Sequence, residues 1–154
     1  MGRGADLEGL LDVNPKLELD KKGFIKTDKA LRTNINNIYA AGDCVGTLQL
    51  AHVAAYEGKL AVDNMFGKKE GADYSAVPSS VFTSPEVAQV GLNEDEAKKQ
   101  SRNARVVKKL FSSVGMAHIF NQTEGFLKLI IDKDTDVLLG AGIIGPQATE
   151  LINT

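Results

Sequence analysis

The segment "VLLGAGIIGPQATEL" (Val137–Leu151) decides between two folds, because its glycines can be read in two opposite ways. Gly140, Gly142 and Gly145 stand at the G-x-G-x-x-G spacing of a turn that cradles a dinucleotide phosphate. Such a turn joins a strand to a helix whose first amides face the anion. Here the residues after Gly142 are Ile143 and Ile144, β-branched and suited to extended backbone. Pro146 removes an amide that an anion could use. The acidic partner expected about 20 residues later would fall beyond Thr154. The segment is therefore expected to be a strand, paired in an antiparallel hairpin with "GFLKLIID" (Gly125–Asp132) across the Asp-rich turn "DKDT". Gly140 and Gly142 then share one face, where something packs close to the backbone.

Working outward, "ARVVKKLF" (Ala104–Phe111) reads as a further strand, and "SVFTSPEVAQVG" is strand-like with Pro85 in its middle. Between them "NEDEAKKQ" starts a helix: Asn93 can cap it, and Glu94, Asp95 and Glu96 sit where a helix N-terminus prefers negative charge. The Gly-, Ser- and charge-rich "KKEGADYSAVPSS" (Lys68–Ser80) is the best boundary candidate. Before it, Leu50 to Phe66 has a helical pattern through Leu50, Val53, Ala54, Ala61 and Met65, with Gly67 at the C-terminal cap. "NIYAAGD" (Asn37–Asp43) is a compact apolar strand ending in Gly-Asp, and "LELD" (Leu17–Asp20) with "GFIKTD" (Gly23–Asp28) reads as a small hairpin.

Composition narrows the function classes. The 154 residues are 43 % hydrophobic and 25 % charged, ordinary globular values. A net charge of −2 leaves no electrostatic footprint for nucleic acid. No run approaches the roughly 18 apolar residues of a membrane span, and the start lacks the regions of a signal peptide. Cys44 is the one cysteine, which excludes an internal disulfide and fits a reducing compartment; a cytoplasmic location is expected, or a mitochondrial matrix in a eukaryote. His52 and His118 are far apart and show no metal-ligand spacing.

The strongest chemical signal is "RTNINNIYAAGDCVGTLQLAHVAAYEG" (Arg32–Gly58). A strand ends at Gly42, Asp43 follows it, a short loop intervenes, and a long helix starts near Leu50. In open α/β sheets ligands settle beyond the carboxyl ends of strands. A carboxylate there accepts hydrogen bonds from paired hydroxyls, and the helix-opening amides supply donors and partial positive charge. The plainer alternative makes Asp43 a turn residue and His52 an ordinary first-turn side chain.

This stretch resembles the second flavin-binding motif of the pyridine nucleotide–disulfide oxidoreductases, which include dihydrolipoamide dehydrogenase, glutathione reductase and mercuric reductase. The matching residues are "TNINNIYAAGD", then Leu50-Ala51-His52 with Glu57-Gly58, the latter most like the dihydrolipoamide dehydrogenase branch. Further matches run in order through "GR" and "LEGL", "GFIKTDKALRT", "VPSSVFTSPEVAQVGLNEDEA" and "AHIFNQTEGFLKLIIDKDTDVLLGAGIIGPQATELIN". The resemblance implies an α/β plus α+β architecture. Residues 1–70 would be the tail of an FAD-binding Rossmann-like domain, with the exit strand of the NAD domain at 1–4. Residues 71–78 would be a linker, and 79–154 an incomplete interface domain of antiparallel sheet and helices. It implies FAD and NAD as cofactors. Asp43 would bond a ribityl hydroxyl, Gly42 would let the backbone pass close, and Gln49, Leu50, Ala51 and His52 would meet the pyrimidine end of the isoalloxazine. Val81 and Phe82 would lie near the nicotinamide, and Gly2 and Arg3 would close the strand leaving the NAD domain. Partners would be a second copy through 79–154 and a 2-oxo-acid dehydrogenase complex.

The family's redox Cys-x₄-Cys pair, its first flavin fingerprint and its NAD fingerprint would lie upstream of Gly2, and its His–Glu dyad downstream of Thr154. The chain is thus expected to be a fragment with no catalytic residues of its own and no metal site, inactive alone. Cys44 reads as a small buried residue, His118 as structural, Tyr39 and Tyr56 as core or half-buried aromatics, and Arg32 as a surface or turn residue. The alternatives are a non-catalytic dimerisation or assembly module, or part of a related flavoenzyme such as mercuric or glutathione reductase.

Overall fold

Ala51 to Met65 holds good helix formers and no proline, and it forms helix α1 (Ala51–Met65). The computed structural model describes residues 4–10, 12, 16–100 and 103–153, so Gly2, Arg3 and Thr154 lie outside the described residues. The buried stripe of α1 is Val53, Glu57, Leu60, Ala61 and Asn64, three and four apart as one helical face requires. Met65, expected on that face, is 51 % exposed. At about 100° per residue, Asn64 falls at the centre of the stripe and Met65 on its flank. Gly67 takes φ +98° just past the helix. Its amide donates to the Asn64 carbonyl at 3.1 Å, and the Lys68 amide to that of Asp63 at 3.2 Å, the paired bonds of a Schellman ending.

Two compact units divide the chain, Met1–Asp73 and Tyr74–Thr154. In the first, Leu31, Leu60 and Ala61 form one apolar cluster with Tyr39 and Ala72, and Leu7, Ile25 and Ala40 another with Cys44 and Val45. The small hairpin forms around a single bridge, Leu19 to Ile25. Its turn is tied by the Asp20 carboxylate, which accepts the Lys22 and Phe24 amides at 2.8 and 3.0 Å. Asn37–Asp43 departs from the expected strand. It makes one bridge, Tyr39 to Arg32, because only the Leu31–Thr33 segment pairs with it among the described residues. Cys44 is half-buried rather than buried, its thiol donating to the Ala41 carbonyl at 3.3 Å.

The second unit is an antiparallel sheet of β1 (Ser79–Val81), β2 (Glu86–Gly91), β3 (Ala104–Leu110), β4 (Phe126–Asp132) and β5 (Leu138–Gly145), in the order β1-β2-β5-β4-β3. The strand-like "SVFTSPEVAQVG" is two strands, interrupted around Pro85, whose missing amide cannot join a ladder. Helices α2 (Glu94–Lys99), α3 (Gly115–Ile119) and α4 (Ala148–Leu151) complete the unit. Asn93 caps α2 as expected, in a reciprocal capping box with Glu96. The turn after β4 is held by the Asp132 carboxylate, which accepts the Asp134 and Thr135 amides.

The glycine-rich segment is a strand, and it occupies the middle of the sheet with β2 on one side and β4 on the other. No strand-to-helix phosphate turn exists there. A Cβ on Gly140 would run into the Leu92 backbone, whereas one on Gly142 would meet nothing nearer than the Ala88 carbonyl at 3.9 Å. The close approach expected at both glycines is real at Gly140 alone. In register across the sheet, Ala88, Ile143 and Leu127 align, as do Val90, Ala141 and Leu129, giving one continuous apolar face. On the opposite face Gln89, Gly142 and Lys128 align, and Lys128 pairs with Glu94 of α2 at 2.8 Å. The two edges differ: β1 has three residues, while β3 carries Arg105, Lys108 and Lys109.

Two predictions follow from these packings. Gly140→Ala should destabilise the chain by about 1–3 kcal/mol because backbone must move, while Gly142→Ala should be neutral or stabilising by up to about 1 kcal/mol; urea unfolding of both variants reads the contrast. The second concerns acid. Glu86 accepts the Thr149 amide and hydroxyl at 3.0 and 2.7 Å, and these bonds hold its carboxyl below the usual range. The Lys128 ammonium does the same for Glu94, the Phe24 amide for Asp20, and Lys59 for Asp63. Each group binds its proton more weakly folded than unfolded, so its contribution is complete above the ordinary carboxylate range and fades as pH falls through the lowered folded values. The thermal midpoint should drop on acidification over that window. Glu86→Gln, which keeps an acceptor for Thr149, should drop less.

Candidate functional site

Gly42 and Asp43 begin a tight loop that ends at Thr47. Gly42 is buried at φ +82°, and a Cβ there would lie 3.2 Å from that of Ala54, so the loop runs against the first turn of α1. The Val45 amide donates to the Gly42 carbonyl at 2.9 Å, and the Ile25 amide to that of Cys44 at 2.8 Å. The Phe24 ring fills the space a side chain at Gly46 would need.

The loop is tied to α1 by Glu57, whose residue is 0 % exposed. One carboxylate oxygen accepts the Gly42 amide at 2.5 Å and the other the Thr47 hydroxyl at 2.9 Å. Asn64, also buried on α1, donates to the Ala30 and Glu70 carbonyls at 3.0 and 2.9 Å and accepts the Glu70 amide at 2.8 Å. Among the described residues no buried side-chain nitrogen or oxygen lacks a partner.

Asp43 is exposed, and its carboxylate has no hydrogen-bond or ionic partner among the described residues. The start of α1 adjoins this loop through Ala54. Leu50 precedes it in extended conformation, no side chain caps it, and its first turn holds no acid. Gln49 and Leu50 are half-buried, Ala51 and His52 exposed. Gly42, Asp43, Gln49, Leu50, Ala51 and His52 are thus gathered in one unit, where a loop meets a helix opening. Val81, 52 % exposed at the end of β1, and Phe82, 82 % exposed just after it, belong to the other unit.

The remaining candidates have structural partners. The His118 Nε2 contacts the Ser112 carbonyl at 2.7 Å. Arg32 is exposed, donates from Nε to the Tyr39 hydroxyl at 3.0 Å, and its guanidinium lies 5.8 Å from that ring. The Tyr56 hydroxyl accepts the Asp73 amide at 2.9 Å. No group of three or more His, Cys, Asp or Glu able to hold a metal occurs among the described residues. No helix among them is long and apolar enough to cross a membrane. Sequence reasoning missed Glu57, Thr47 and Asn64 as organisers of this region. The available signal was a glutamate and an asparagine at helical spacing on the face that Val53, Leu60 and Ala61 bury.

Comparison with known families places this arrangement. Residues 1–58 match the family model "Pyridine nucleotide-disulphide oxidoreductase", and residues 77–154 match its dimerisation domain. The fold and these two matches therefore define a segment of a pyridine nucleotide-disulphide oxidoreductase type of chain, in which the end of one family region precedes an antiparallel dimerisation domain. The chain belongs to the pyridine nucleotide-disulphide oxidoreductase family. It is 47 % identical over 134 residues to a dihydrolipoyl dehydrogenase of Chlamydia trachomatis, covering 87 % of this chain and 29 % of that protein. It is 40 % identical over 154 residues to a dihydrolipoyl dehydrogenase of Bacillus subtilis, covering 99 % and 32 %. The crystal structure of LpdA from Mycobacterium tuberculosis superposes with a TM-score of 0.84 at 33 % identity, over 94 % of this chain and 31 % of that one. The flavoprotein disulfide reductase RclA from Escherichia coli superposes at 0.81 and 32 % identity, over 89 % and 32 %. The chain spans under a third of the length of these relatives.

The close pass of Gly42 over Ala54 is testable. Gly42→Ala should cost at least about 1–2 kcal/mol from the left-handed backbone alone, read as a lower urea midpoint.

Proposed function

We propose that the chain is the flavin-side and interface segment of an NAD-linked oxidoreductase of the dihydrolipoyl dehydrogenase type. In that reaction a dihydrolipoyl dithiol is oxidised to the disulfide and NAD⁺ is reduced to NADH with release of a proton. FAD, when bound, supplies the two-electron relay between them. The observation that carries the reading is Asp43, a carboxylate without a partner among the described residues, standing beside an uncapped helix start. This donor and acceptor set fits a flavin. Asp43 accepts from hydroxyls of the sugar-alcohol chain, and Gly42 adds no bulk. The opening of α1 at Gln49, Leu50, Ala51 and His52 offers its partial positive charge to the pyrimidine end of the ring, where negative charge develops on reduction. Val81 and Phe82 would lie near the nicotinamide. On this reading 1–70 is the tail of the FAD domain, 71–78 a linker and 79–154 the interface domain. The parent protein is a cytoplasmic homodimer able to join a 2-oxo-acid dehydrogenase complex.

The 154 residues contain one cysteine, so the chain by itself cannot cycle a dithiol. Purified chain should show no lipoamide-dependent NADH turnover above a no-protein control, and should be colourless after dialysis. Added FAD should still bind weakly and saturably in a fluorescence titration. Asp43→Ala should weaken that binding about tenfold or more, the scale of a lost hydrogen bond to a charged group. Equal binding by the variant refutes the assignment of Asp43.

A second reading, assembly without catalysis, is favoured by the apolar face of the sheet. It opens into a groove of about 430 Å³ lined by Val90, Leu110, Leu127, Leu129 and Leu138 among others, and exposed apolar surface of that kind promotes association. Light scattering at micromolar concentration should give twice the chain mass; the mass of one chain counts against it.

A further inference from the structure

We propose that Glu57 is the positioning residue of the flavin site, its buried carboxylate fixing Asp43 relative to the opening of α1. The inference rests on the flavin reading of that site. Burying a carboxylate is costly unless its oxygens are hydrogen-bonded, so bonds made by a residue with 0 % exposure are conditions of its being there. Glu57 takes one bond from each end of the loop, Gly42 at 2.5 Å and Thr47 at 2.9 Å. Asp43 is the residue after Gly42, so Glu57 holds the loop at the Ala41–Gly42 peptide, one residue before Asp43, and again at Thr47 beyond it, which confines the backbone that carries the Asp43 side chain. Glu57 itself lies within α1, between Val53 and Leu60 on the buried stripe. Both halves of the site, acceptor and helix opening, are therefore referred to the same carboxylate. Glu57 touches no ligand in this scheme; it acts through the loop.

Asn64 provides an internal control. It lies seven positions along the same stripe and anchors Ala30 and Glu70, away from the Gly42 loop. Loss of Asn64 should therefore weaken α1 while the Glu57 bonds to Gly42 and Thr47 stay in place.

The experiment uses ¹⁵N-labelled 154-residue chain with FAD as the probe, in the wild type and in Glu57→Leu, Glu57→Gln and Asn64→Leu. Amide hydrogen exchange without FAD reads the clamp, and FAD-induced shifts read the site. In Glu57→Leu, exchange at Gly42 should accelerate at least tenfold, with second-unit amides unchanged, and FAD shifts at Asp43 should weaken at least fivefold. Glu57→Gln should recover most of both, because its oxygen can accept from Gly42 while its amide donates to Thr47. That recovery separates geometry from charge and keeps the test alive if the leucine variant unfolds. Asn64→Leu should lower the thermal midpoint and leave the FAD shifts in place. Unchanged Gly42 exchange in Glu57→Leu overturns the clamp, as does loss of the Asp43 response in Asn64→Leu. Glu57→Gln behaving like the leucine variant overturns the geometric role. Wild-type chain without FAD shifts near Asp43, yet with Gly42 protection that depends on Glu57, overturns the flavin reading and leaves the clamp standing.

Discussion

A carboxylate without contact to solvent constrains everything packed around it. Helix α1 docks in the register that delivers the Gly42 amide and the Thr47 hydroxyl to Glu57, because a shifted register takes these partners from a buried carboxyl group. Apolar contacts at Val53, Leu60 and Ala61 favour burial of that face but tolerate sliding; directional bonds do not. Asn64 repeats the device near the C-terminal end of the helix, on the Ala30 and Glu70 backbone. With its middle and its C-terminal end referenced to polar partners, α1 becomes a ruler on which the loop is mounted.

The second unit solves a different problem, closure of a sheet around a glycine-rich middle strand. β5 has neighbours on both sides, and its lack of a side chain at Gly140 admits the Leu92 backbone. Of the glycines that mimic a phosphate turn on paper, Gly140 and Gly145 are steric concessions to close packing, while Gly142 has room for a side chain. What distinguishes the two uses is the chain that follows: Ile143 and Ile144 continue in extended form, and the helix that comes next, α4, is one turn long.

Much of this was legible because it was local. The capping box at Asn93, the hairpin of β4 and β5 and the extent of α1 each rest on residues close in sequence, whose side chains act on neighbouring backbone. What was not legible depends on contacts distant in sequence. Asn37–Asp43 has the composition of a strand, yet extended pairing needs neighbours that composition cannot supply. Glu57 and Asn64 are polar residue types; only the helical position of their neighbours shows that they point inward. Of the candidate site, the Gly-Asp loop and helix opening stood out in sequence, while the buried group that joins them did not.

The two borders of the sheet are unlike, yet both are poor templates for a further strand. β1 offers three residues, too few for a lasting ladder, and β3 presents Arg105, Lys108 and Lys109, whose like charges disfavour stacking against an identical edge. Growth by strand addition, the route to fibrous aggregates, is thereby disfavoured at either border of the sheet.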